Sequence, residues 1–523
     1  MSASPPSPRG SIPGAAFVLA LWAVVYLPRT AFLGFYHDDW WALIEAAQGT
    51  APFSSGRLAS FFSWEVAFGS RPLAGLACHF VSSVAGDNAP LWQLANALQV
   101  LLAALAVHSL LRTLPGEPAA VRRGALVGTA VVLLNPWSVA MTAWPVTTGS
   151  LLSLPFCAWG VRELFRDGAA GPRGVRCLLW LLASFLCYES FYLQWLVFLA
   201  LVPVLRRDGS GLRPALLVGA AAAAAQVAAV AYNRLIPLYA PDSATKQLNT
   251  AWTTLWENSL RDLPMNLART SPVPGWVWLS LALGASALAL DGLVHARRLR
   301  WIAALAAAAL LLVISALVYA VAGYGITTVG IMGRTSYGLS LGWALAAFAL
   351  VQLTVASRWR HAALATTLLT VAAGGLLGWA QFKVVSTYAE VWRTQQEVIA
   401  RFPVEQARAL PREGSAVLYV GPSYRDDLVI FGAEWDLTGA INHLPDFARD
   451  RRAFADLLRF YPATGLYDWK WDGTVLTQEL PGHFRQPFLV QRLYVWNAYT
   501  GEFHAVTPGF TLFAKAHPES AAR

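Results

Sequence analysis

Asp38 and Asp39 stand side by side in the stretch FYHDDWW, residues 35–41, directly after a long apolar run. A carboxylate where a membrane helix ends is costly unless it has a task or a partner. One task is general-base catalysis, deprotonating an acceptor hydroxyl. Adjacent carboxylates in a partly desolvated site repel each other, which raises one pKa and makes a better proton acceptor near neutral pH. The same face of the membrane should also receive Arg71, from SWEVAFGSRPL with Glu65, and Glu189, Asn233, Arg234, Lys246 and Arg334. Inward-facing Arg and Lys near a membrane surface suit an anionic lipid head group. The combination suits transfer of a group from a lipid phosphate to a hydroxyl, with the cations stabilising the leaving phosphate as its charge develops.

Each residue also has a plainer reading. The two aspartates could cap an external helix. Arg71 could pair with either of them, and Glu189 could brace two short helices. Arg334 could snorkel to the interface and Lys246 could be a solvated loop charge, while Arg29, near the end of the first span, reads as a snorkelling residue. His37 beside the acids has only a weak claim as a ligand or base.

The elements that must position these residues are membrane helices. Of 523 residues 56% are hydrophobic and 13% charged, and the mean hydropathy is +0.46, more apolar than a soluble chain of this length requires. Runs such as 124–134, 214–231, 277–290 and 302–323 match the thickness of a hydrocarbon core. The net charge of +9 does not indicate nucleic acid. Only four of the basic residues are Lys, and the arginines cluster between apolar runs, as the positive-inside rule requires. Cys78, Cys157, Cys177 and Cys187 have no metal-ligand spacing and read as packing residues.

The arginine clusters 112–123, 162–176, 206–213, 297–300 and 358–360 mark cytoplasmic loops. The resulting organisation is a disordered cytoplasmic N-terminus over 1–11, a transmembrane region over 12–386 with a first external loop at 36–90, and a soluble α/β domain over 387–523 on the outer side. The stretch 177–205 has basic residues on both flanks yet is too short for two full spans. It is expected to form a hairpin of two short helices turning at CYESF, residues 187–191. The fold class is then an all-α polytopic membrane protein of about eleven spans with a small α/β domain. In that domain 414–421 reads as a buried strand and 492–506 as a β-hairpin.

A first span, then an acidic pair in HDDW, then SRPL before the next helix resembles the GT-C superfamily of membrane glycosyltransferases, in particular bacterial relatives of the protein O-mannosyltransferases. The resemblance covers the order of elements along the chain, and its specific motifs are HDDW and SRPL. It implies a sugar transferase of the cell (inner) membrane using a polyprenyl-phosphate sugar donor, with inversion. Asp38 would be the base, Asp39 its neighbour, and Arg71 the arginine of the matching Arg-Pro. Glu189, Arg234, Lys246 and Arg334 rest on topology alone as donor-binding residues. The acceptor would be a glycan, a lipid or a protein. No cofactor is implied, although hard cations favour carboxylate oxygens and a divalent ion on Asp38, Asp39 and Glu189 is conceivable. The competing readings are a transporter or flippase for a lipid-linked glycan, which would want charges at mid-membrane depth on broken helices, and a non-catalytic membrane scaffold, or a ligase or polymerase using pyrophosphate-linked donors.

Overall fold

The computed structural model describes residues 12–45, 50–63, 68–206, 212–239, 261, 273–296, 299–321, 331–355, 357, 360–410, 416–425, 428–432, 434–442, 459–462, 468–471, 475–480, 484–489 and 492–506. The chain divides into two compact units, one formed by 1–32 with 58–386 and the other by 33–57 with 387–523.

The first unit is helical. Among the described residues seven helices are long and apolar enough to cross a membrane, or eight if the bent pair Pro118–Leu133 and Pro136–Ala143 counts as one span. This is a multi-pass membrane protein. The count falls short of the eleven read from the sequence because several apolar segments are short. Ser153–Phe165, Ala170–Cys187 and Gln194–Leu205 have 13, 18 and 12 residues, against the roughly 20 a straight span needs. The break expected at 187–191 is present, although the helix before it begins at Ala170 rather than 177. One helix ends at Cys187, a single 3-10 turn covers Glu189–Phe191, and the next helix starts at Gln194. Small residues let the helices approach closely. At Gly128 a Cβ would lie 2.7 Å from the Ala344 carbonyl oxygen, so any side chain there would push two helices apart.

Polar side chains tie the helices together, at helix ends by answering carbonyls that the helix leaves unsatisfied. Trp22 donates to the Ala97 carbonyl (2.6 Å), and both Tyr26 (3.1 Å) and Gln381 (2.9 Å) donate to the Leu133 carbonyl, at the end of a helix. At another helix end Arg173 donates to the carbonyl of Glu163. Arg166 and Arg176 form ion pairs with the Glu163 carboxylate. This satisfies the carbonyl end of a helix with cations, as its dipole favours.

The second unit is α/β. Ala416–Val420 lies between Arg459–Pro462 and Leu493–Asn497, parallel to both, and Glu502–Ala505 runs antiparallel to the latter. The strand and hairpin read from the sequence are therefore Ala416–Val420 and the pair 493–497/502–505. A three-stranded antiparallel sheet covers Asp468–Trp471, Val475–Leu480 and Phe484–Leu489. The aromatic core of the main sheet is Phe402, Tyr419, Phe460 and Trp496, with Phe402 and Trp496 meeting edge-on at 5.0 Å. The helix Glu434–Asn442 buries Leu437, Ala440 and Ile441. The long helix Ala362–Ala400 carries the chain across the division at 386/387.

Candidate functional site

In the second unit, the acidic pair sits on a loop held by aromatic packing. Phe35 and Trp40 both meet Trp392, edge-on at 6.2 Å and stacked at 5.9 Å. Gly34 is required here, since a Cβ would fall 1.9 Å from the Trp392 ring. Tyr36 packs edge-on against Tyr388 at 5.2 Å and donates its hydroxyl hydrogen to the Tyr388 carbonyl at 3.1 Å. Burial raises the Tyr36 phenol well above its ordinary range, so it stays a donor.

The two aspartates part company on this loop. Asp39 is wholly buried, and its carboxylate accepts the Tyr36 N–H at 2.6 Å, closing the turn. Asp38 keeps 23% of its side-chain surface. Between them in role stands His37, buried and in the left-handed backbone region at φ 42°. A non-glycine residue there is uncommon and signals a conformation imposed by its surroundings. His37 Nδ1 lies 2.7 Å from Asp436, whose carboxylate is buried and also accepts the Gly432 N–H at 3.2 Å. His37 Nε2 lies 3.5 Å from Asp38 Oδ1. A buried carboxylate on Nδ1 fixes the tautomer and leaves Nε2 as the reactive nitrogen.

His37, Asp38 and Asp436 also offer one ligand atom each within 4.8 Å of one another. A divalent cation held in this unit would draw on these three, with a nitrogen and two carboxylates suited to a borderline metal. Of the set Asp38, Asp39 and Glu189 expected from the sequence for that role, this cluster contains Asp38. Asp436 was not found from the sequence. It lies 398 positions from Asp38 with no motif around it, and a buried His beside the acid pair was the one signal that a distant partner was needed.

In the first unit, Arg71 precedes the helix Pro72–Ala85, whose proline at the start fits a position that needs no N–H. Its guanidinium forms a two-pronged pair with Glu189, Nε to Oε2 at 2.9 Å and Nη2 to Oε1 at 2.5 Å. It also lies 4.3 Å over the Tyr188 ring. Burial disfavours the Arg71 charge most strongly of any single cause, but the Glu189 carboxylate together with Tyr188 and Tyr319 outweighs it and the pKa is raised. Two residues expected to hold a donor are thus joined to each other across 118 positions. Around them Ser190 and Tyr319 share a hydrogen bond, Asn233 donates to the Tyr192 hydroxyl at 2.9 Å, and Tyr232 donates to the Gly69 carbonyl at 3.0 Å.

Arg334 lies in the 3-10 stretch Ile331–Leu339, partly buried, 5.9 Å from the centre of the Trp144 ring. The backbone of Arg234 is part of the helix Leu212–Tyr239, and its side chain lies outside the described residues, as do Lys246 and Glu65. Arg29 does not snorkel. It is 7% exposed, its Nε donates to the Val25 carbonyl at 2.8 Å, and its guanidinium covers the Tyr26 ring at 4.2 Å.

No protein-family model and no curated protein matches the chain. Among solved structures it is similar to ArnT from Cupriavidus metallidurans in the apo state, at 13% identity over 83% of this chain and 84% of that one, TM-score 0.47. It is similar to ArnT from the same organism bound to undecaprenyl phosphate, at 12% identity over 87% and 90%, TM-score 0.42. It is also similar to the oligosaccharyltransferase of Archaeoglobus fulgidus in the apo form, at 11% identity over 88% of this chain and 65% of that chain, TM-score 0.41.

Proposed function

We propose that the chain is a membrane glycosyltransferase of the GT-C type, moving a sugar from a polyprenyl-phosphate donor to an acceptor hydroxyl on the outer face of the cell membrane. Its N-terminus is cytoplasmic and residues 387–523 are extracytoplasmic. Asp38 is the general base. The acceptor oxygen attacks the anomeric carbon from the side opposite the phosphate, its proton passes to Asp38, and the bond from that carbon to the phosphate oxygen breaks with its electron pair leaving on the phosphate. The sugar is inverted.

What supports Asp38 over Asp39 is access. Asp38 retains 23% of its side-chain surface beside His37, whereas Asp39 is buried and spent on the Tyr36 N–H. A base must come within hydrogen-bond reach of the proton it takes, and only the first carboxylate can be approached. Arg334 remains a donor-binding candidate, as do Arg234 and Lys246. Arg71 and Glu189 act through their mutual pair, bracing the hairpin at 188–193, rather than as separate ligands.

The donor class is tested with the full-length protein in nanodiscs and a panel of polyprenyl-monophosphate and polyprenyl-pyrophosphate sugars, with an envelope extract supplying acceptor. Mass spectrometry follows the released lipid. Release of lipid monophosphate from monophosphate donors is expected. Turnover of pyrophosphate donors alone would select the ligase or polymerase reading, and translocation without covalent change would select the transporter.

A further inference from the structure

Around the bend between Pro118–Leu133 and Pro136–Ala143, the first unit gathers buried hydrogen-bond donors that lack acceptors. Arg29 Nη1, Asn135 Nδ2, Trp137 Nε1 and Trp343 Nε1 are all buried without a hydrogen-bond partner among the described residues. Arg29 is 7% and Asn135 2% exposed. Tyr26 links Arg29 to the chain just before Asn135. Arg29 covers the Tyr26 ring, and Tyr26 donates to the Leu133 carbonyl, two residues before Asn135. Asn135 Oδ1 accepts the backbone N–H of Trp137 at 3.0 Å, and Trp137 stacks on Trp343 at 5.4 Å.

Every unsatisfied atom in this group is a donor, and one belongs to a permanent cation. A buried guanidinium without a carboxylate costs several kcal/mol unless an anion answers it. Arg29 stands at the end of the candidate span Gly14–Ala31, at the depth where the head group of a membrane lipid lies. Several donors call for an anion with several acceptor oxygens, which a phosphomonoester supplies and a carboxylate does less well. Arginine's fork suits phosphate geometry in particular.

We infer that Arg29, with Asn135 and Trp137, forms a subsite for the phosphomonoester head of a membrane lipid. The inference rests on the lipid-phosphate half of the proposed function and assigns that phosphate to residues at the bend.

The test uses the full-length protein in maltoside micelles, with dodecyl phosphate as probe and dodecanol and inorganic phosphate as controls. Binding is read by native mass spectrometry and by thermal stabilisation. Wild type should bind dodecyl phosphate saturably and dodecanol far less. R29Q should weaken binding about ten- to hundredfold, as loss of charged hydrogen bonds implies. R29K should recover part of the loss, and N135L should lose several-fold while leaving the arginine in place, which keeps the test open if R29Q does not fold. Unchanged affinity in R29Q, or in N135L where R29Q is unfolded, would overturn the subsite. Equal affinity for inorganic phosphate would overturn the lipid assignment. If sugar transfer is observed while R29Q binds normally, the subsite fails and the enzyme reading stands. If dodecyl phosphate binds through Arg29 but no donor is ever turned over, the enzyme reading fails and the subsite stands.

Discussion

The Arg71–Glu189 pair predicts a measurable coupling between two residues the sequence had assigned to a substrate. Both prongs are made, at 2.9 and 2.5 Å, and the side chains are 15% and 30% exposed. Breaking a fully buried pair costs about 3–5 kcal/mol, and an exposed pair is worth about 0.2–1 kcal/mol. With Glu189 nearly a third exposed, Glu189→Gln should cost about 2 kcal/mol, between those limits. Arg71→Met also removes the guanidinium from the Tyr188 face and should cost about 3 kcal/mol, the additional loss being the cation–π contact. The double variant should be about 1.5 kcal/mol more stable than the sum of the singles predicts. The assay is a double-mutant cycle on equilibrium unfolding in mixed detergent micelles. A coupling under about 0.5 kcal/mol would refute the pair as a structural brace. Full stability in Glu189→Gln together with lost donor binding would return both residues to the substrate.

Other outcomes follow from the loop at 34–39. Gly34→Ala forces a Cβ into the Trp392 ring and should destabilise the loop by about 3 kcal/mol, the upper range for overpacking, read as loss of thermal stability. Asp39→Ala strips the acceptor from the buried Tyr36 N–H and should cost about 2 kcal/mol of stability, whereas Asp38→Ala, at a partly exposed carboxylate 3.5 Å from His37, should cost under about 1 kcal/mol. Equal stability losses from the two would show that the division of labour drawn from burial is wrong.

Much of the membrane architecture was legible because it is written in local composition. Apolar runs and arginine clusters give spans and loops, and the break at 188–193 is marked by the polar residues Tyr188 and Glu189 inside an apolar stretch. The count of long spans among the described residues differs from the eleven expected because an apolar run does not disclose the length of the helix it forms, as at Ser153–Phe165. The site was legible only where residues are adjacent. HDDW announced itself, but nothing in the sequence separates Asp38 from Asp39, because burial is decided by residues far along the chain, such as Tyr388, Trp392 and Asp436. The Arg71–Glu189 pair and the acceptor-poor surroundings of Arg29 are likewise tertiary facts. Charge pattern alone gave Arg29 the usual fate of a terminal arginine in a membrane helix, and the Tyr26 ring beneath it decides otherwise.

The measurement that bears most directly on the account is single-turnover release of lipid phosphate from a polyprenyl-monophosphate sugar by wild type, Asp38→Asn and Asp39→Asn, each first matched for folded protein. Removing a general base lowers the rate by about 100- to 10,000-fold. The account predicts a loss of that size in Asp38→Asn at unchanged donor affinity, with Asp39→Asn losing mainly stability. Full activity in Asp38→Asn would contradict it and leave the acidic pair as a structural device of the loop.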